Sequence, residues 1–114
     1  MTYTGDPVRW DRTIYRGSVN TWKTRRVDSA GNPLVPASAQ MQVRDKPGGT
    51  IWLDLSGTID GQGWMTFTIS DSATAAAAWD KRTRGVWDVE VIYSGEKLRW
   101  VMGDVKVSQD VTRS

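Results

Sequence analysis

The stretch Ser38–Asp45 alternates without a break. Ala39, Met41 and Val43 fall on one side of an extended chain, and Ser38, Gln40, Gln42 and Arg44 fall on the other. Period-two patterning of this kind fits a half-buried strand and no helix. It recurs along the chain. Thr50–Leu55 places Ile51, Leu53 and Leu55 on one face, and Trp64–Ile69 sets Met65, Phe67 and Ile69 against Thr66 and Thr68. Thr13–Arg16 and Val19–Val27 are further β-type runs, and Val86–Tyr93 and Leu98–Val107 form a hairpin around Ser94-Gly95-Glu96-Lys97. Turn-forming clusters separate the runs: Asp28-Ser29-Ala30-Gly31-Asn32-Pro33, Lys46-Pro47-Gly48-Gly49 and the glycine-bearing loop Gly57–Gly63. About seven short strands at this spacing predict an all-β antiparallel sandwich or barrel.

One segment departs from the pattern. Ser70-Asp71-Ser72 precedes Ala73-Thr74-Ala75-Ala76-Ala77-Ala78-Trp79, so Ser70 or Asp71 caps a short helical turn near 71–79. A helix this short is marginal in water, and Trp79 is the residue expected to pin it. A turn of helix before Gly85-Val86-Trp87-Asp88 resembles the corner that links the two sheets of immunoglobulin-like domains. Trp87 then takes the place of an aromatic anchor, with no cysteine pair across the sheets.

There are seven Trp, and since each one buried removes about 150–250 Å² from water, a few of them can dominate a small core. Trp is also enriched at interfaces. The chain has no Cys and no His, so no disulfide supports it and the commonest metal ligand and general base are missing. Fifteen basic and thirteen acidic residues leave a net charge of +2, interspersed rather than gathered into a nucleic-acid or lipid footprint. The first residues, MTYTGDPVRW, contain no apolar signal core and no run reaches membrane-span length; synthesis in the cytoplasm and no membrane partner are expected. The chain divides into an N-terminal arm (1–11), a sandwich domain (12–108) and a C-terminal tail (109–114).

The last strand admits two readings. In one, Gly103 sits in a bulge, and the extra residue brings Leu98, Trp100 and Met102 to the face of Val105 and Val107. In the other the strand is apolar on both sides, and Trp100 and Met102 face a partner.

The search for reactive groups returns no catalytic residue, no metal site and no cofactor site. Asp54, Asp60 and Asp71 are scattered, and Asp60-Gly61-Gln62-Gly63 lacks the acidic alternation of a calcium loop. Asp88 and Glu90 share a strand face, where pairing with Arg99 is favoured over a glycosidase role. Without His, a Ser-His-Asp relay is impossible. Trp22 with Lys23, Arg25 and Arg26, together with Trp52, is the combination a single-strand binder would use, although acidic residues sit among the basic ones and no nucleic acid is expected. Trp10, Trp52 and Trp64 are candidates for stacking on sugar rings of a host-surface glycan.

The runs Asp11-Arg12-Thr13-x-x-Arg16-Gly17, Met41-Gln42-Val43-Arg44, Gly85-Val86-Trp87-Asp88-Val89-Glu90 and Gly103-Asp104-Val105-Lys106-Val107-x-x-Asp110-Val111-Thr112-Arg113 carry a resemblance over nearly the whole chain. With the turn at 28–33 and the Thr74-Ala-Ala segment, they resemble the small structural proteins of tailed-phage virions, similar to the N-terminal domain of the upper baseplate protein family. That resemblance implies an immunoglobulin-like β-sandwich and a non-enzymatic adaptor or decorating subunit of the tail, baseplate or capsid surface. It implies other virion proteins as partners, several copies or a homo-oligomer, and residence in the virion. Tyr3, Trp10, Trp100, Met102, Val111 and Arg113 are the expected contact residues.

Overall fold

A computed structural model describes residues 6–109. The strands are β1 (Val8–Arg9), β2 (Arg12–Tyr15), β3 (Asn20–Thr24), β4 (Arg26–Val27), β5 (Pro33–Leu34), β6 (Ser38–Arg44), β7 (Ile51–Ser56), β8 (Thr58–Ile59), β9 (Met65–Ile69), β10 (Arg84–Tyr93) and β11 (Glu96–Ser108). Helix α1 (Asp71–Ala75) and a 3₁₀ turn (Ala77–Trp79) lie between β9 and β10. The larger sheet runs β1-β11-β10-β6-β7, with β2 also paired to β11, and the smaller runs β3-β9-β8. β4 and β5 form a separate hairpin. Hairpins join β6 to β7 and β10 to β11, and the chain changes sheet after β7 and again after β9. Two packed sheets with these connections make an immunoglobulin-like sandwich.

The core follows the alternation. Ala39, Met41 and Val43 of β6, Met65, Phe67 and Ile69 of β9, and Trp87, Val89 and Val91 of β10 are all buried. Antibody domains place a disulfide between the second and sixth strands. Here Trp22 of β3 and Trp87 of β10 occupy the corresponding strands and meet edge-on, with ring centroids 4.8 Å apart. Helix α1 is capped as expected: Ser70 Oγ accepts from the Ala73 N–H at 3.2 Å, and Trp79 is buried.

Two strand boundaries differ from the alternation. Val19–Val27 is interrupted at Arg25, because β3 stays in the smaller sheet while Arg26–Val27 turns away to pair with β5 and cover Leu34. The loop 57–63 contributes β8, which pairs with β9.

The last strand does contain a bulge, one turn of the ladder earlier than Gly103. Val89 pairs with Val101 and Glu90 with Arg99, so Trp100 is the extra residue. It turns inward and is 0% exposed. Leu98 and Trp100 thereby join the face of Val101, Val105 and Val107, while Met102 lies beyond the shift and points outward. Gly103 is opposite Trp87 in regular pairing. β7 uses the same device. Val43 pairs with Leu53 and Arg44 with Ile51, which makes Trp52 the extra residue. Trp52 packs against the core and Ile51, expected inside, is 44% exposed. In both strands the inserted residue is an indole.

The sandwich begins and ends outside the boundaries expected from sequence. Val8–Arg9, assigned to the arm, pairs in parallel with Val101–Met102, and Trp10 N–H donates to the Met102 carbonyl at 2.8 Å. Gln109, assigned to the tail, donates to the carbonyls of Trp79 (2.7 Å) and Arg82 (3.0 Å). It also accepts from Arg16 Nη1 at 2.9 Å.

Candidate interaction face

The outer face of the larger sheet presents the residues that alternate away from the core. Asp88 and Glu90 stand on β10, Arg99, Met102 and Asp104 on β11, and Gln40 and Gln42 on β6. The strand pairing dictates their partners. Arg99 Nε meets Asp88 at 3.1 Å, Lys97 meets Glu90 at 3.9 Å, and Arg9 Nη2 meets Asp104 at 2.8 Å and Asp11 at 3.1 Å. Gln40 and Gln42 both donate to Asp54 of β7, and Ser56 Oγ donates to Gln40 at 2.9 Å. Three carboxylates of this face, Asp88, Glu90 and Asp104, are therefore each held by a cation. A shallow groove of about 460 Å³ crosses it, lined among others by Arg44, Val86, Asp88, Arg99 and Met102. Met102 is the exposed apolar residue among those lining it, 36% exposed, and Ile51 and Ile92 are exposed elsewhere on the same sheet.

Burial raises the carboxyl of Asp88 above its ordinary value, and the neighbouring Glu90 adds to the rise against the opposing pull of Arg99 and Arg44. Asp28, in the β4–β5 turn, moves the other way, because its carboxylate accepts from the backbone N–H groups of Asn32 and Ala30 at 2.9 Å each. The signs are opposite in stability as well. Between the unfolded and folded values of Asp88 the folded chain holds the extra proton, so that group's contribution improves as pH falls through the window. For Asp28 the contribution is present above the unfolded value and lost as pH falls through the folded one. A carboxyl-carbon NMR titration should place the Asp88 midpoint above that of Asp28. The reverse order would refute the burial of Asp88.

The expected contact residues separate. Met102 and Trp10 lie at the surface or partly so, and Trp10 is also structural: its carbonyl accepts from Trp87 Nε1 at 2.7 Å. Trp100 is corrected from a contact residue to a core residue, since the bulge turns its indole inward, 5.5 Å from the Tyr93 ring. Tyr3, Val111 and Arg113 lie outside the described residues. Of the indoles considered for sugar stacking, Trp10 lies under Arg12 (4.2 Å), Trp52 under Arg82 (4.7 Å), and Trp64 beside Lys23 (5.2 Å) and Arg25 (4.7 Å). Trp22, grouped with Lys23 and Arg25 as a stacking surface, is buried. Pairing of Asp88 with Arg99 is as expected, whereas Glu90 pairs with Lys97.

Sequence reasoning missed one residue that organises the far end of the fold. Arg16, its side chain 14% exposed, donates from Nε to the Thr74 carbonyl (3.0 Å) and from Nη2 to those of Ala75 (3.2 Å) and Ala76 (3.1 Å). Its Nη2 also lies 2.6 Å from Asp80 Oδ1. One guanidinium thus serves carbonyls at the end of α1, where a cation is favoured.

An immunoglobulin-like module with a polar sheet face crossed by ion pairs is the class that fold and surface define. No family model matches the chain, and no curated protein matches it. Among solved structures it is similar to the ZIG-8–RIG-5 IG1–IG1 heterodimer, at 7% identity and a TM-score of 0.48, over 96% of this chain and 90% of that chain.

Proposed function

We propose that this chain is a non-catalytic structural protein of a tailed-phage virion, an adaptor or decorating subunit present in several copies. It binds neighbouring virion proteins through the outer face of its larger sheet. The observation that carries the reading is that face: the carboxylates Asp88, Glu90 and Asp104 each meet a cation, beside an exposed Met102. Paired charges around an apolar centre suit recognition, where complementarity sets partner and register. They suit proton transfer poorly, because each carboxylate is already committed. The tailed-phage assignment rests on the sequence runs that resemble virion proteins. Glycan binding is the weaker alternative, since a cation lies against the rings of Trp10, Trp52 and Trp64.

The test is incorporation. Wild-type chain should co-purify with phage particles, and Met102→Arg should reduce its occupancy at least about tenfold, the scale of one lost hot spot. Because Met102 points to solvent, the variant should melt with the wild type. A chain that joins no particle, or a variant that joins normally, overturns the proposal.

A further inference from the structure

We infer that the free edge of β3, with the apolar cleft at its end, binds an acidic extended protein segment carrying an aromatic anchor, by strand addition. This site opens off the outer face of the larger sheet, with Arg9 the one described residue that lines both.

The edges of the two sheets are not equivalent. β7 carries the bulge at Trp52, β8 has two residues, and β1 and β2 are split at Trp10–Asp11. Bulges and short strands block edge-to-edge pairing. Among the described residues β3 is a five-residue edge strand, paired on one side only, with no register shift in its pairing. Its free side offers the main-chain groups that a further strand would take.

Thr24, the last residue of β3, also lines a cleft of about 140 Å³ between the sheets. Met65, Trp100 and Val101 line it from the core, and Val8 and Trp10 from the opposite edge. An apolar cavity of similar size, about 150 Å³, accepts a benzene ring. A strand added to β3 projects alternate side chains inward, and the one level with Thr24 meets this cleft.

The charge around the cleft is of one sign. Among the described residues Arg9, Arg25 and Arg26 line it and no carboxylate does, and Lys23 is exposed on β3 itself. Arg9 is held by Asp11 and Asp104, but Arg25 rests on the half-buried ring of Trp64 and a 3.3 Å bond to the Gln62 carbonyl. An acidic segment is the complement of such a rim.

The probe is a fluorescein-labelled peptide alternating Val and Glu around a central Phe, titrated into the intact chain by anisotropy. It should bind saturably and weaken as salt rises. Replacing its Phe by Ser, or its Glu by Lys, should cost at least about tenfold in affinity. Val8→Trp, which fills the cleft from an exposed position, should cost as much. Arg25→Glu should shift the preference toward the lysine peptide, so the assignment does not depend on one variant. Amide shifts on binding should concentrate in Asn20–Thr24. Equal binding of acidic and basic peptides, or shifts centred on the outer face of the larger sheet, overturns the inference. So does binding seen only after residues 1–5 are removed, which would assign the cleft to the chain's own N-terminus.

Discussion

Arg16→Ala should destabilise the fold by about 2–3 kcal/mol, read as a lower midpoint in urea with an unchanged slope. The substitution removes a largely buried guanidinium that meets three carbonyls of the α1 segment, the Asp80 carboxylate and the Gln109 amide. Charge-assisted bonds contribute about 1.5–3 kcal/mol each in isolation, but these share one group and do not add. What stays behind adds to the loss: the part-buried Thr74 carbonyl without this donor, on a buried residue whose Oγ1 accepts from Gly17 N–H at 2.8 Å. Arg16→Lys should recover less than half, because a single ammonium cannot span donors fixed in a fork. Asp80→Asn should cost less than about 1 kcal/mol, since that carboxylate is 59% exposed. Equal effects at Arg16 and Asp80 would mean that the ion pair, and not the carbonyls, dominates.

The second large effect is expected at Gly103. A Cβ built there stands 2.2 Å from the Trp10 carbonyl oxygen and 2.7 Å from its carbon, both backbone atoms. Neither can rotate away. Gly103→Ala must push the Trp10–Asp11 segment off the sheet, and the Trp87 Nε1 bond to Trp10 and the Asp104 N–H bond to Asp11 go with it. Overpacking of this kind costs about 1–3 kcal/mol, and the loss of a buried hydrogen bond adds about 1 kcal/mol. A total near 3 kcal/mol is expected in the same urea assay. Gly61→Ala, where the added Cβ meets no atom within 4 Å, is the control and should change stability by less than about 0.5 kcal/mol. If the two variants unfold alike, the close approach of the first strand is wrong.

These two positions show where sequence reading reaches and where it stops. Strands, the capped helical turn and the Trp87 anchor were legible, because each is written in local patterning and turn chemistry. Gly103 drew attention for the wrong reason. Its backbone suits a bulge, yet it is needed because the Trp10 carbonyl, between β1 and β2, passes against it. The bulge itself lies at Trp100, and alternation alone does not tell which of two adjacent apolar residues is the extra one; the register of β10 decides it. Each reading of that strand held half the outcome, with Trp100 inside and Met102 outside. Arg16 was silent in sequence because its partners lie 58 to 93 residues away. The candidate face was visible as charges on β10 and β11, but its pairing with β7 through Asp54 required the sheet order.

The parallel pairing of β1 and β2 with β11 has a mechanical meaning. A pull on the N-terminal side of β1 and the C-terminal side of β11 acts along the two strands in opposite senses. The load is then shared across the ladder from Val8–Val101 to Tyr15–Ser108, so its bonds must fail together rather than peel one at a time. Rupture under tension follows the unfolding barrier and not the equilibrium stability. A module wired this way can resist strain far better than its melting temperature alone would suggest.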